Sequence, residues 1–372
     1  MLQAFAQGTD LSRLYVQLQL PRYGHQQNNP GVPLSGREAR LRAAVELGFG
    51  GVVIPAEWAR VERVRGHRDW ARLDSIVEEA ASRHLAMYGI VSYSPPWAVP
   101  PAVARMPRSD SHRPVVDGSA ARGDTLFASF AAAVARRYRD RLDRWEVWNE
   151  ENHPDFWFNV TNDRNQGPSA EDYYRLFTLA RDSIVAANPK AKVAIGGLSS
   201  FSGRRRAWPD PLTSGHEFIA KPAHEYLRDL LRLGARPENL AIHPYSVLPP
   251  GGTRWGEGVP IFPDQVVDSV FGVLNGAGLL GSRVWVTEWG VDAVPSMSPE
   301  ALTLWFQVAL HDLLCHPRIE FVTIYALTDE SGRTHFGLMN SDGSRTADGV
   351  ALERAMRQWV GCRVRAAPRG PG

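Results

Sequence analysis

The chain has 372 residues, and 44% of them, including twelve Trp, are hydrophobic. This is enough for a large core, with aromatic side chains left over for a cleft. The formal net charge of +2 argues against a general binder of nucleic acid or of membrane surfaces. The two cysteines, Cys315 and Cys362, are too few for a disulfide framework or a cysteine zinc site. No apolar run reaches the roughly 18 residues that a membrane span needs.

The N-terminal segment bears on where the protein acts. Met1-Leu2-Gln3-Ala4-Phe5-Ala6-Gln7 lacks the basic region and the long apolar stretch of a secretion signal. The sequence therefore predicts a cytoplasmic protein, or a periplasmic or secreted one whose leader has been removed.

Strand-like and helix-like segments alternate along the chain. The predicted strands are residues 14–20, 51–54, 85–91, 142–148, 192–195, 240–242, 283–287 and 321–327. The predicted helices are residues 37–47, 73–83, 126–138, 171–188, 217–233, 264–274, 299–315 and 349–359. Eight alternations without a break in composition predict an α/β protein, a single (β/α)₈ TIM barrel over residues 1–360. Residues 361–372 are predicted to be a disordered tail.

A doubly wound open sheet is the competing architecture. It would carry a glycine-rich phosphate turn after the first strand. Residues 19–24 read Gln-Leu-Pro-Arg-Tyr-Gly, which is not such a turn, so the barrel is favoured.

Two strand ends carry a glutamate between aromatic residues. Glu150 closes the string 145–150, Trp-Glu-Val-Trp-Asn-Glu, and Glu288 lies in the string 285–290, Trp-Val-Thr-Glu-Trp-Gly. Burying a carboxylate is costly unless it is paired, so two such residues suggest acids held face to face. Paired acids of this kind hydrolyse glycosides, although they also bind metals or form structural ion pairs. We expect the aromatic setting and the second carboxylate to raise the pKa of Glu150, as suits a general acid.

Further polar residues follow other strands at the end where barrel enzymes place their active sites. Asn149 is a candidate donor to a sugar hydroxyl, or else a cap of the next turn. His243 and Tyr245 are candidate hydrogen-bond donors to Glu288, or else belong to a packed His-Pro-Tyr turn. Glu57 is a candidate ligand of substrate hydroxyls, with a surface salt bridge as the alternative.

Two tryptophans are candidate platforms for sugar rings. Trp97 lies in a long proline-rich loop over residues 94–114, and Trp289 follows Glu288. Core or loop packing is the alternative for both. Asp110, His112 and Asp117 on the third loop have no metal-ligand spacing, and we expect a hairpin at the rim of the substrate cleft there.

These motifs resemble those of the retaining (β/α)₈ glycoside hydrolases of clan A. The chain is most similar to glycoside hydrolase family 39 and related bacterial exopolysaccharide endoglycosidases, over residues 41–347. The motifs are Trp58-Ala59-Arg60-Val61-Glu62, Tyr93-Ser94-Pro95-Pro96-Trp97, the string 145–150 with Phe156-Trp157, His243-Pro244-Tyr245, Thr287-Glu288-Trp289-Gly290 and Phe336-Gly337-Leu338.

The resemblance implies Glu150 as the acid/base and Glu288 as the nucleophile. It also implies Asn149 at the sugar 2-hydroxyl, and His243 and Tyr245 around the nucleophile. In one respect the chain departs from the family. Many clan members carry an Arg near the end of strand two, whereas residues 52–57 here read Val-Val-Ile-Pro-Ala-Glu.

The sequence thus predicts a retaining hydrolase of β-glycosidic bonds that works by double displacement on an oligo- or polysaccharide, such as a bacterial exopolysaccharide. It predicts no metal or organic cofactor, no nucleic-acid partner and no membrane span. A barrel that binds polysaccharide without cleaving it, and an exo-acting glycosidase or transglycosylase with the same residues, remain alternatives. Sugar identity, endo or exo action and oligomeric state stay open.

Overall fold

The computed structural model describes residues 10–19, 36–105, 109–161, 164–165, 167–200, 203–206, 217–245, 263–291, 297–328 and 336–362. Within these ranges, eight parallel strands form a closed barrel in sequence order, with the first strand paired to the last. The strands are β1 Leu14–Val16, β2 Gly51–Glu57, β3 Ala86–Ser92, β4 Arg144–Asn149, β5 Lys192–Ser199, β6 Asn239–His243, β7 Arg283–Trp289 and β8 Ile319–Ile324. The predicted single (β/α)₈ barrel is confirmed.

A helix follows every strand and covers the barrel from outside. The helices are α1 Arg37–Leu47, α2 Ala71–Ser82, α3 Ala120–Arg137, α4 Ala170–Ala187, α5 Ala223–Arg232, α6 Pro263–Gly276, α7 Pro299–Leu314 and α8 Ala347–Arg357. A four-residue helix, Trp58–Val61, follows β2 directly. No helix in the described part of the chain is long and apolar enough to cross a membrane.

The strands are apolar on both faces because one face packs on the helices and the other fills the barrel. A buried cluster drawn from seven strands forms the inner packing: Tyr15, Val53, Tyr88, Ile90, Ala194, Ala241, Trp285 and Phe321. The rings of Tyr15 and Phe321 stack with centroids 4.8 Å apart. Across the barrel, the hydroxyl of Tyr88 donates to the backbone oxygen of Thr287 at 2.9 Å. The lower barrel is thus a packed core, and polar side chains collect at its carboxyl end.

Some predicted elements differ from the structure. The predicted helix 217–233 begins only at Ala223, because Pro222 lacks the amide hydrogen that a helix interior needs. Before it, the short strand Glu217–Ala220 pairs with Gly203–Arg206 in a hairpin that the sequence did not indicate. The first strand stops at Val16 rather than at residue 20, and the second continues past Pro55 to Glu57.

The loop after β3 is held down by a buried ion pair. Arg113 contacts Asp124 of α3 at 3.0 Å, and their side chains are only 2% and 0% exposed. Arg113 also reaches Asp172 of α4 at 2.5 Å. In its described residues the loop contains two short 3₁₀ turns, Pro96–Ala98 and Ser109–Ser111, where we expected a rim hairpin.

A disulfide joins Cys315, just after α7, to Cys362, just after α8. The two Cα atoms are 5.2 Å apart, within the usual range for such a bond. Cys362 lies in the segment predicted to be a tail, and residues 363–372 of that segment lie outside the described residues.

Candidate active site

Three polar side chains meet at the carboxyl end of the barrel. Glu150 follows β4 directly, His243 is the last residue of β6, and Glu288 is the penultimate residue of β7. The backbone at Glu150 has a φ of +48°, in the left-handed region that disfavours residues with a side chain. Its amide donates to the backbone oxygen of Gly197 on β5 at 3.1 Å. The strand thus ends in a strained turn that the neighbouring strand supports, as is frequent at functional sites.

The two carboxylates approach the same nitrogen of one imidazole. Nδ1 of His243 is 2.9 Å from Oε1 of Glu150 and 3.6 Å from Oε2 of Glu288. One oxygen of each glutamate and a ring nitrogen of the histidine all lie within 4.8 Å of one another. Retaining glycosidases hold their carboxyl groups about 5–5.5 Å apart, and inverting enzymes about 6.5–9.5 Å. The spacing here corresponds to the retaining arrangement.

Glu288 accepts hydrogen bonds from residues that follow two other strands, β6 and β1. The hydroxyl of Tyr245, two residues after β6, donates to Oε2 of Glu288 at 2.9 Å, and the side chain of Gln17, just after β1, also donates to this carboxylate. Burial raises the pKa of Glu288 and the charge of Glu150 adds to the increase, while His243 and these two donors oppose it. Tyr245 therefore makes the contact predicted from the sequence.

The pKa values of the two glutamates run opposite to our expectation. Burial disfavours the charged form of Glu150, but the hydrogen bond and the positive charge of His243 outweigh it and hold the pKa of Glu150 below its usual value. The sequence suggested that His243 would serve Glu288, whereas its Nδ1 lies closer to Glu150. For this reason Glu288, and not Glu150, has the raised pKa.

His243 carries the positive charge of this group. Burial alone would lower its pKa, but Glu288 and Glu150 raise it to about 9. At neutral pH the ring is therefore an imidazolium between two carboxyl groups.

The remaining predicted residues of the site differ in how they are placed. Asn149 is the last residue of β4 and is 9% exposed, directly before Glu150. Glu57 ends β2 and pairs with Arg60, so its carboxylate is held in the salt bridge that was the alternative prediction.

The two tryptophans have different environments. Trp97 is half-buried, donates to the backbone oxygen of Glu62 at 2.7 Å, and lines a cavity of about 610 Å³. Trp289 is fully buried, and its ring packs on Trp305 at 5.3 Å. The ring of Phe306 meets the same indole edge-on at 5.9 Å, so Trp289 lies in the packing between β7 and α7, which was the alternative prediction for this residue.

Several buried polar residues of this region were missed by sequence reasoning. Gln17 lay inside a predicted strand, although its polar side chain in an apolar run was a signal. Glu146 lies four residues before Glu150, and Glu151 directly follows it. Both are 0% exposed. The sequence signal for both was the presence of three glutamates within the six residues 146–151.

The oxygen and nitrogen atoms of Glu150, His243 and Glu288 are close enough to hold a metal ion. A metal needs a neutral imidazole. The raised pKa of His243 and the engagement of its Nδ1 with Glu150 work against that role at neutral pH. In the third loop, Asp117 pairs with Arg65 and Arg122.

Comparison with known proteins finds similarity to glycoside hydrolases. No family model matches the chain. The chain is 21% identical over 304 residues to a protein of Arabidopsis thaliana named endo-1,4-beta-xylanase 5. That match covers 82% of this chain and 45% of the relative, so the chain spans less than half of the relative's length.

Solved structures give the same result at the level of the fold. A family 39 glycoside hydrolase from Bacteroides cellulosilyticus superposes with a TM-score of 0.61 and 17% identity, covering 93% of this chain and 64% of that one. A monomeric beta-xylosidase from Caulobacter crescentus superposes with a TM-score of 0.57 and 16% identity, covering 92% of this chain and 70% of that one. The predicted resemblance is thus confirmed, and the chain shares the barrel fold of family 39 glycoside hydrolases.

Proposed function

We propose that the chain is a retaining glycoside hydrolase with Glu288 as nucleophile and Glu150 as acid/base. One observation carries the proposal. Glu150, directly after β4, and Glu288, on β7, bring one carboxylate oxygen each within 4.8 Å of the other at the carboxyl end of the barrel. A pair this close leaves no room for a water between the second carboxylate and the anomeric carbon, which favours direct attack by that carboxylate.

In the first half of the reaction, an oxygen of Glu288 attacks the anomeric carbon. The bond from this carbon to the leaving oxygen breaks, and Glu150 gives that oxygen a proton. The product is a covalent glycosyl ester on Glu288. The hydrogen bond from Tyr245 supports the ionised nucleophile before attack.

In the second half, Glu150 removes a proton from a water molecule. The water oxygen bonds to the anomeric carbon, and the ester bond to Glu288 breaks. The configuration at the sugar carbon is retained after two inversions. The side-chain amide of Asn149, directly before Glu150, is available to the 2-hydroxyl of the sugar, where a hydrogen bond strengthens in the transition state.

The substrate is proposed as a β-linked polysaccharide or an oligosaccharide derived from it. The names of the relatives, a xylanase and a xylosidase, favour a xylose-configured chain as the first substrate to test. A bacterial exopolysaccharide is the second, on the strength of the sequence motifs. Trp97 is the candidate platform for a sugar ring, because its half-exposed ring borders a cavity.

The test is covalent trapping with epoxide cyclitols of xylo, gluco, galacto and manno configuration. The purified protein is incubated with each probe, its intact mass is measured, and any adduct is located by peptide mapping. A single adduct on Glu288 is expected, lost in Glu288→Gln and kept in Glu151→Gln, which changes a buried glutamate beside the site. An adduct on another carboxylate would overturn the assignment. No adduct, together with no new reducing ends from a polysaccharide panel, would favour a binding protein.

A further inference from the structure

A third glutamate lies beneath the proposed catalytic pair. Glu146 is on β4, four residues before Glu150, and its side chain is fully buried. Its Oε1 accepts a hydrogen bond of 2.8 Å from the amide of Gly197 on β5. Its Oε2 makes no hydrogen bond of normal geometry in the described part of the chain, and the side chain of Thr287 is the group that approaches this carboxyl group and lowers its pKa. A buried carboxyl group with one unpaired oxygen is costly, so its retention calls for a reason.

Gly197 shows what this carboxyl group faces. A Cβ at this position would overlap with Nε2 of His243 and would lie 2.8 Å from Oε1 of Glu146. The imidazole and the carboxyl group therefore both border the space left free by the absent Cβ. Nε2 of His243 is buried and, among the described residues, has no hydrogen-bond partner either. Glu146 thus lies toward the Nε2 side of the ring without a direct hydrogen bond to it, and Glu150 contacts Nδ1 at 2.9 Å.

The charges around His243 come from three directions. Glu146 and Glu150 approach it from β4, Glu288 approaches it from β7, and the ring of Tyr245 lies edge-on at 6.3 Å. Glu151 also interacts with His243, but burial raises the pKa of Glu151 well above its usual value, so this side chain is neutral. Burial also raises the pKa of Glu146, to about 8, against the opposing charge of His243.

We propose that Glu146 is a positioning residue that keeps a proton on His243, and that this is the proton which Glu150 delivers to the leaving oxygen. The proposal rests on the function proposed above. When substrate binds, the Nδ1–H bond of the imidazolium breaks and an O–H bond forms on Oε1 of Glu150, leaving His243 neutral. Glu150 then transfers this proton to the glycosidic oxygen. The proton that Glu150 takes from water in the second half returns to Nδ1.

The role of Glu146 depends on its own ionisation. Below pH 8 it is mostly protonated and adds no charge. Above pH 8 it becomes a carboxylate just as His243, with a pKa of about 9, begins to lose its proton. The negative charge of Glu146 then keeps His243 protonated over a pH range in which the imidazole would otherwise be neutral.

The test is Glu146→Gln, with kcat and KM measured from pH 5 to pH 10. Gln resembles the protonated acid, so kcat/KM at pH 6 should stay within about twofold of the wild type. In the plot of kcat/KM against pH, the alkaline limb should move to lower pH by about one unit. This is the lower end of the pKa shift that a nearby opposite charge causes. The change on this limb should be in kcat, with KM unaltered. The matched control, Glu151→Gln, replaces a neutral buried acid and should leave the profile in place.

A conservative variant and a spectroscopic measurement separate this role from a structural one. Glu146→Asp keeps the charge, so its alkaline limb should lie close to the pH of the wild-type limb. A limb that moves equally in Glu146→Asp and Glu146→Gln would overturn the proposal. The protein is labelled with ¹⁵N-histidine, and the His243 signals are assigned by their loss in His243→Gln. The pH midpoint of the titration of His243 should be lower in Glu146→Gln than in the wild type.

The NMR titration does not depend on turnover, so the two proposals can fail separately. An unchanged midpoint of His243 in Glu146→Gln would overturn the coupling between these residues, whatever the activity. A lowered midpoint with an unmoved alkaline limb would show that the proton on His243 is not the one delivered, and would also overturn the proposal. Absence of covalent trapping and of hydrolysis would instead count against the proposed function itself.

Discussion

The hydroxyl of Tyr245 donates a hydrogen bond of 2.9 Å to Oε2 of Glu288, across the junction of β6 and β7. This bond favours the ionised carboxylate, and so it opposes the effect of burial on the pKa of Glu288. The proposed nucleophile is thus kept reactive by a residue on a different strand.

Tyr245→Phe removes this donor without removing the ring. We expect the pKa of Glu288 to rise further, so the acid limb of kcat/KM should move to higher pH. A hydrogen bond to a charged group contributes about 1.5–3 kcal/mol, which corresponds to a loss of about 10- to 100-fold in kcat/KM. The measurement is the pH profile of hydrolysis. Tyr226→Phe, which changes a buried tyrosine on α5, is the control and should leave the limb in place.

Glu150→Gln should slow hydrolysis by a factor that depends on the leaving group of the substrate. General acid catalysis contributes about 10²–10⁴-fold, and this contribution matters most for a poor leaving group such as a sugar. Hydrolysis of an oligosaccharide should therefore fall by about that factor. An aryl glycoside with an acidic phenol should lose far less in formation of the glycosyl ester, measured as the burst of phenol. Equal losses on both substrates would contradict the acid/base role.

Two tryptophans with similar sequence signals should respond differently to substitution. Trp97→Ala should raise KM for oligosaccharides with kcat little changed, because the ring contributes to binding in both ground and transition state. Trp289→Ala should destabilise the barrel by about 3–5 kcal/mol, because it empties a packed site beside Trp305. Steady-state kinetics and chemical denaturation of both variants distinguish these outcomes. A large loss of stability in Trp97→Ala would instead indicate that Trp97 has a packing role.

The fold could be predicted because apolar strands and amphipathic helices alternate with regular spacing, and the barrel closes on that pattern. The meeting of Glu150 and Glu288 could be predicted because a strand-end carboxylate in an aromatic setting has no structural benefit. The partner of His243 could not be predicted, since it depends on which glutamate the ring approaches in three dimensions. The contact of Gln17 with Glu288 was harder to predict, because a polar side chain among the apolar residues 14–20 also suits a longer strand.

The buried ion pair in the third loop should matter more than the exposed one. Asp124→Asn leaves the guanidinium of Arg113 without its fully buried partner, and removal of one member of such a pair costs about 3–5 kcal/mol. Asp117→Asn breaks pairs with Arg65 and Arg122 that are about half exposed, and should cost far less, because solvent screens exposed pairs. Urea denaturation of both variants measures the difference. Similar losses would contradict the assignment of Asp124 as the anchor of the loop.

The disulfide between Cys315 and Cys362 changes how force reaches the barrel. Because β8 and α8 lie inside the covalent loop that it closes, a pull on the residues after Cys362 passes directly to the end of α7. The last strand and helix are bypassed and carry none of that load. Without the disulfide, forced unfolding from the carboxyl terminus would first separate β8 from β1. With the disulfide, it has to begin by pulling α7 away from its neighbours.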